Sequence, residues 1–170
     1  MEHSQAVLLA KESLTYYLEK GQVLPSPKEM PAALQKPAGV FVSLKKQGQL
    51  RGCIGTFLPT RKSAAEEIIH NAISAGTQDP RFPPVTRNEL DTLVFSVDLL
   101  DAPEAVHDVD DLDPAKYGVI VKRDGRSGLL LPMLEGIESA EEQVDIARQK
   151  AGIRPEEPVE LYRFTVTRYV

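Results

Sequence analysis

The chain has its only cysteine within the segment Leu50-Arg51-Gly52-Cys53-Ile54-Gly55-Thr56-Phe57. An arginine precedes this cysteine by two residues, and glycines lie on both sides of it. A glycine inside a strand costs backbone entropy and packs nothing, so it usually marks the close approach of another segment or of a ligand. We therefore predict a β-strand that is approached closely near Cys53.

The preceding residues, 39–45, alternate in character and predict the other strand of a hairpin. A two-residue loop, Gln47-Gly48, would place Cys53 beside the valines, whereas a three-residue loop, Lys46-Gln47-Gly48, pairs Lys45 with Gln49. We predict the three-residue loop because it separates apolar from polar side chains. Its apolar face contains Val40, Val42, Leu44, Leu50 and Ile54, and its polar face contains Ser43, Lys45, Arg51 and Cys53.

This arrangement places a cysteine between two cations on a polar face. Neighbouring positive charge lowers the pKa of a thiol and raises its thiolate fraction. One interpretation is therefore a reactive thiol or an anion-binding site. The alternative is that Cys53 is a small buried apolar residue, which is the common environment of a free cysteine.

Length and composition favour one globular domain in a reducing compartment. The chain has 170 residues, a net charge of −5 and a single cysteine, so no internal disulfide can form. Residues 1–10 contain no long apolar run, and none of the apolar runs approaches the roughly 18 residues of a membrane-spanning helix. We expect a cytoplasmic protein without a signal peptide or membrane segment, and the acidic balance argues against a general nucleic-acid binder.

The charge is unevenly distributed. Residues 30–65 contain six Lys or Arg and no Asp or Glu, so this basic window carries +6 and the remainder −11. Such a surface suits a small anion or a short stretch of nucleic acid. Equally, acids from elsewhere in the fold could neutralise it.

Helix signals are clear in the first half of the chain. Residues 5–20 have an amphipathic pattern with Ser4 as N-cap and Gly21 as stop, and a second helix is predicted from Ser63 to Ala75 with Gly76 as its stop. Between them, a proline-rich loop has at most one short helix near residues 28–35. His70 lies away from the centre of the second helix's apolar stripe, so we expect it to be solvated.

The segment Asp79-Pro80-Arg81-Phe82-Pro83-Pro84 predicts a stiff, extended connection, because three of its six residues are proline. A strand follows over 92–100. Residues 101–116 are acidic and predict a loop with a short helical turn. They lack the glycine and glutamate of a calcium loop, and we predict no metal site.

The second half repeats the first. Strands are predicted at 117–123 and 128–131 around an Asp124-Gly125 turn, a helix from Ser139 to Ala151 with Gly152 as stop, and a last strand over 159–167. Gly39-Val40-Phe41-Val42 is similar to Gly118-Val119-Ile120-Val121, and both helices open Ser-Ala-x-Glu and close Ala-Gly. We infer a duplicated hairpin–helix–strand unit and an α+β fold with mostly antiparallel strands.

These residues resemble the AMMECR domain family (Alport syndrome, midface hypoplasia and elliptocytosis chromosomal region). The resemblance covers nearly the whole chain. It is carried by Leu50 to Thr56, Gly39 to Lys46, Asp79 to Pro83, Gly128 to Pro132, Lys150 to Ile153 and Tyr162 to Phe164. One departure is Ile137-Glu138, where many members have a tryptophan followed by an acid.

The resemblance implies one domain over residues 1–170, with a larger lobe that contains both termini, a smaller lobe and a groove near the signature. It also implies a microbial pathway shared with a Memo-like protein and a radical-SAM enzyme. The reaction of the family is unsettled, so whether this chain is an enzyme stays open.

Three functional hypotheses follow. The first is an enzyme component that binds or acts on a small anionic substrate, with no cofactor of its own. The second is a nucleotide- or RNA-binding module, and the third is a protein-interaction scaffold. For the first, the catalytic candidates are Cys53, Arg51 and Asp79, and none of His3, His70 or His107 is placed near Cys53 as a base. The ligand-binding candidates are Ser43, Lys45, Gly52, Gly55, Thr56, Arg81 and Phe82.

Overall fold

The computed structural model describes residues 4–170 and divides them into two compact units. The first unit comprises residues 4–100 and 167–170, and the second comprises Asp101–Val166. His3, which the sequence does not place near Cys53, lies outside the described residues. No helix in the described part of the chain is both long and apolar enough to cross a membrane.

Helices are separated by runs of consecutive strands, as expected for an α+β fold with antiparallel sheets. The α-helices are α1 Gln5–Lys20, α2 Ala32–Gln35, α3 Ala64–Thr77 and α4 Ala140–Ala151. The strands are β1 Gly39–Lys46, β2 Gln49–Thr56, β3 Leu93–Leu100, β4 Glu104–Val106, β5 Gly118–Arg123, β6 Arg126–Leu130, β7 Glu160–Phe164 and β8 Val166–Tyr169. Short 3₁₀ helices span Arg87–Thr92 and Val109–Asp111.

The strands form two four-stranded sheets, in the orders β2-β1-β3-β8 and β4-β7-β5-β6. The two sheets share one arrangement of three strands. In each, the first strand of a hairpin lies between the second strand of that hairpin and the strand that follows the next helix. These strands are β2-β1-β3 in one sheet and β6-β5-β7 in the other. The pairs formed by these strands are antiparallel. The predicted α+β fold and duplicated hairpin–helix–strand unit are confirmed.

The β1–β2 connection differs from the prediction. Gln47 and Gly48 both have positive φ, and Lys46 pairs with Gln49, so the loop has two residues. Leu44 then pairs with Gly52 and Lys45 with Leu50, which leaves Arg51 as the extra residue of a β-bulge. A turn with positive φ at both central residues matches the twist of the flanking strands, which explains why it is preferred to the longer loop.

The bulge restores most of the predicted face pattern. It shifts the register by one residue, so Val40, Val42 and Leu44 are fully buried and Ser43 pairs with Cys53 on the other face. Leu50 is the exception, since it precedes the bulge and lies opposite Lys45 with 40% of its surface exposed. Its predicted place on the apolar face is therefore wrong.

Helix α3 packs its apolar stripe into the core of the first unit. Ile68, Ile69 and Ala72 are buried against β1 and α1, as predicted. The predicted stop at Gly76 is wrong, because the helix continues to Thr77. A β-carbon at Gly76 would lie 2.6 Å from Leu14 Cδ1, so this glycine permits the close packing of α1 instead.

Two further predictions need correction. The last strand is interrupted at Thr165, whose carbonyl accepts a hydrogen bond from Asp101 N at 2.9 Å. Its two parts, β7 and β8, belong to different sheets. The acidic segment 101–116 contains the predicted helical turn but also strand β4, which pairs with β7.

Candidate functional site

Cys53 lies on β2, the edge strand of the first sheet, on the face away from α3. It is half-buried, and Ser43 Oγ on β1 donates a hydrogen bond to its Sγ at 3.3 Å. Residues 52 and 53 point to opposite faces, and a β-carbon on Gly52 would lie 2.2 Å from the carbonyl oxygen of Ala75 on α3. The thiol therefore faces away from the helical layer.

Burial raises the pKa of the Cys53 thiol. The Ser43 hydrogen bond and the charge of Arg81 oppose this rise, while Asp98 and Asp79 add to it. The expectation that cations would lower this pKa is therefore wrong in direction, because desolvation exceeds the effect of Arg81. The thiol is protonated at neutral pH.

Asp79 binds the exposed edge of β2. Its side chain is almost fully buried, and Oδ2 accepts from Cys53 N at 3.0 Å and from Arg81 Nη2 at 2.7 Å. Oδ1 accepts from the Arg81 backbone N at 3.1 Å and from its Nε at 3.0 Å. Chiefly because of the Arg81 side chain, the pKa of this carboxyl lies well below its usual range.

The 79–82 segment is a turn rather than an extended connection. Phe82 N donates to the Asp79 carbonyl at 3.2 Å, which brings the Arg81 side chain back onto Asp79. The Arg81 guanidinium lies 5.3 Å from the centre of the Phe82 ring, and its Nη2 donates to the Cys53 carbonyl at 3.4 Å. The side chains of this turn therefore bind both the backbone N–H and the carbonyl of Cys53, which a neighbouring strand would otherwise pair with.

Arg51 is held away from the thiol. Its Nε and Nη2 donate to the two oxygens of Glu89 at 3.0 and 3.2 Å, and its Nη1 donates to the Pro83 carbonyl at 2.8 Å. Lys46 Nζ lies 3.2 Å from the same carboxylate, and these contacts, with Arg51 first, lower the pKa of Glu89 to about 2. One acid from outside the basic window, Glu89, thus pairs with two of its six cations. The predicted contact of Arg51 with Cys53 is not made.

A second arginine–carboxylate pair lies near Cys53 and was missed by sequence reasoning. Asp98 on β3 is 4% exposed, and its oxygens accept from Arg168 Nε at 2.7 Å and Nη2 at 2.8 Å. Both residues interact electrostatically with the Cys53 thiol. The available signal was a lone acid within an otherwise uncharged strand, Leu93–Leu100, because a buried charge requires a partner.

The remaining predicted residues are divided between the two faces of the sheet. Lys45 is exposed on the Cys53 face, and a β-carbon on Gly55 would lie 2.3 Å from the ring of Phe41. Gly52 faces α3 and is not available to a ligand. Thr56 also lies on the α3 side, where its hydroxyl donates to Glu67 at 2.8 Å.

His70 is also on the α3 side. It is half-buried rather than solvated, and burial is the first cause that lowers its pKa. His107 belongs to the second unit. Among the described residues, the titratable side chains that interact with the Cys53 thiol are Arg81, Asp98, Asp79 and Arg168.

The molecule is thus an α+β protein built from a duplicated unit, with a cysteine on an edge strand whose thiol interacts electrostatically with two anchored arginines. The AMMECR1 family model matches residues 7–169, so the chain belongs to the AMMECR1 family. A solved structure of an uncharacterized protein of Pyrococcus horikoshii is similar, with a TM-score of 0.89 and 34% identity over 96% of this chain and 88% of that one.

Two relatives show that similar sequences occur in proteins of different lengths. A protein of Thermotoga maritima is 55% identical over 157 residues, which are 90% of both chains. A protein of Clostridium acetobutylicum is 49% identical over 99% of this chain, but the match spans only 36% of that protein. In the latter, the matching part is joined to a longer sequence.

Proposed function

We propose that this chain binds a small anionic group on the Cys53 face of the first sheet, as a component of an enzyme system. The observation that carries the proposal is the pair of anchored arginines, Arg81 and Arg168. Each donates two hydrogen bonds to a buried carboxylate, which fixes the plane of its guanidinium group. An anion would therefore meet donors already held in place, at little entropic cost.

Donor capacity remains for such a ligand. Within residues 4–170, Nη1 of Arg81 and Nη1 of Arg168 make no hydrogen bond. The two side chains are 55% and 32% exposed. Because Asp79 and Asp98 balance their charges, the site favours recognition by directed hydrogen bonds over long-range attraction.

The protonated thiol limits the chemistry that we assign to the free protein. A thiolate is the nucleophilic form of cysteine, and burial disfavours it here. We therefore assign Cys53 a positioning role beside the ligand and assign the chemical step to a partner. The family resemblance suggests a Memo-like protein and a radical-SAM enzyme as partners in the cytoplasm, and the longer Clostridium relative supports an association with other domains.

The RNA-binding alternative is less well supported. It relied on the six cations of the basic window, of which Arg51 and Lys46 are paired with Glu89. A nucleic-acid surface would require unpaired cations that track several phosphates.

The test is a calorimetric titration with inorganic phosphate at constant ionic strength, using matched Arg→Lys variants. Lysine keeps the charge but cannot make the two-point contact. We expect Arg81→Lys and Arg168→Lys each to weaken binding about tenfold, the effect of losing one charge-assisted hydrogen bond. Arg87→Lys is the control, since Arg87 is 64% exposed and, within residues 4–170, forms only a surface pair with Glu19. Equal binding by the three variants would rule out the proposed site.

A further inference from the structure

The first unit also contains a cavity of about 400 Å³ on the α3 side of the sheet, opposite Cys53. Its lining is largely polar and includes Thr56, Arg61, His70, Asn71 and Ser74, with Tyr17 from α1. This volume lies within the range of small-molecule sites, roughly 300–1,000 Å³.

The polar lining follows the geometry of α3. Glu67, His70, Asn71 and Ser74 are spaced by three and four residues, so they share one face of the helix. The helix buries its apolar residues in the core, including Ile68, Ile69 and Ala72. A polar stripe on such a helix faces either solvent or a binding site, and here it lines the cavity.

Glu67 makes one wall rigid. It is 1% exposed, and its carboxylate accepts from Thr56 Oγ1 at 2.8 Å, Thr60 Oγ1 at 2.9 Å and Arg61 N at 2.7 Å, and also from Thr60 N. Asn71 Nδ2 donates to the Val40 carbonyl at 2.9 Å and to Thr56 Oγ1 at 3.2 Å. These bonds attach the loop after β2 to both the helix and the sheet, so the wall is formed before any ligand arrives.

Two lining groups remain available for a ligand. The Arg61 guanidinium forms no hydrogen bond or ion pair with the described residues. Burial and the charge of Arg61 lower the pKa of His70, while Glu66 and Glu67 act in the opposite direction. The imidazole is therefore mainly neutral at pH 7, with one nitrogen as donor and the other as acceptor.

We infer that this cavity binds a small metabolite with a carboxylate or phosphate group, whose charge pairs with Arg61 and whose polar body bonds to His70 and Ser74. The site lies on the opposite side of the sheet from Cys53. It neither requires nor excludes the anion site proposed there.

The test is a series of ¹H–¹⁵N spectra of the whole chain at constant ionic strength, with acetate, inorganic phosphate and AMP as probes. We expect at least one probe to give saturable shifts at the amides of Thr60, His70 and Ser74. Acetate and phosphate distinguish a carboxylate from a phosphate ligand. AMP tests whether the cavity also binds the polar remainder of a larger molecule. Arg61→Gln should weaken this binding about tenfold or more, because a charge-assisted contact is lost.

Lys62→Gln is the matched control, since Lys62 is an exposed neighbour that does not line the cavity. It should bind as the unmodified chain does. The inference fails if no probe gives saturable shifts at these amides, or if Arg61→Gln binds as tightly as Lys62→Gln. It also fails if Arg81→Lys, rather than Arg61→Gln, removes the shifts, an outcome that would assign the anion to the Cys53 face instead.

Discussion

At the scale of single residues, Gly52 and Gly55 differ in the group that a side chain introduced at each position would meet. At Gly52 the obstacle is the backbone carbonyl of Ala75, 2.2 Å from the position of a β-carbon. At Gly55 it is the ring of Phe41, a half-buried side chain that can rotate. A helix backbone yields less readily than a side chain, so the two glycines have unequal tolerance.

We expect Gly52→Ala to lower the free energy of unfolding by about 1–3 kcal/mol, because overpacking forces α3 away from the sheet. Gly55→Ala should cost less, since Phe41 can move. Urea denaturation of both variants measures the difference. An equal loss would mean that the Phe41 ring is as firmly fixed as the helix.

The Cys53 thiol should titrate above the usual value of about 8.5. The rate of iodoacetamide alkylation as a function of pH gives this pKa. Ser43→Ala should raise it further, because the hydrogen bond from Ser43 favours the thiolate. A pKa below the usual value, or a fall in Ser43→Ala, would contradict the dominant role of burial.

At the scale of elements, Glu89 connects the β1–β2 hairpin to the 3₁₀ helix Arg87–Thr92, to which it belongs. It accepts from Lys46 and Arg51 on the hairpin, and also from Thr86 N at 2.8 Å within its own capping box. The pKa of Glu89 is lowered to about 2 from an ordinary value of 4.5. A lowered pKa means that the folded state prefers the charged form, so the stabilisation is present above pH 4.5 and is lost as the pH falls towards 2.

The Glu89→Gln variant should therefore be less stable than the unmodified chain by about 1 kcal/mol at neutral pH, a figure reduced for screening by solvent. The difference should shrink as the pH falls from 4.5 towards 2. Urea denaturation at several pH values measures it. A difference that stays constant over this range would show that ionisation of Glu89 does not contribute.

At the scale of the whole molecule, the end of the chain completes the first sheet. Strand β8 is the outer neighbour of β3, and its Arg168 is the partner of the buried Asp98. Residues 167–170 thus belong to the first unit although they follow the second in sequence. The fold of the first unit therefore depends on residues from both ends of the chain.

We expect Arg168→Met to destabilise the first unit by about 3 kcal/mol, because a buried carboxylate is left without its partner. The double variant with Asp98→Asn should recover part of this loss, since the uncompensated charge is removed. Arg87→Met is the control for loss of a surface arginine. Thermal and urea unfolding would contradict this expectation if Arg168→Met cost no more than Arg87→Met.

The sequence by itself determined where the long helices begin, the duplicated unit and the family. Local signals are sufficient for these features: Ser63 and Ser139 each accept the predicted capping hydrogen bond, from Glu66 N and Glu142 N. Apolar alternation also identified the buried face of β1, because that pattern depends only on neighbouring residues.

Only the tertiary structure decided which charges meet. Arg51 pairs with Glu89, 38 residues away, and Asp98 pairs with Arg168, 70 residues away. The contact of Asp79 with the edge of β2 likewise joins segments that are distant in the sequence. Charge pairing and burial set the pKa values of Cys53 and His70, and both depend on distances in space that no local pattern of residues encodes.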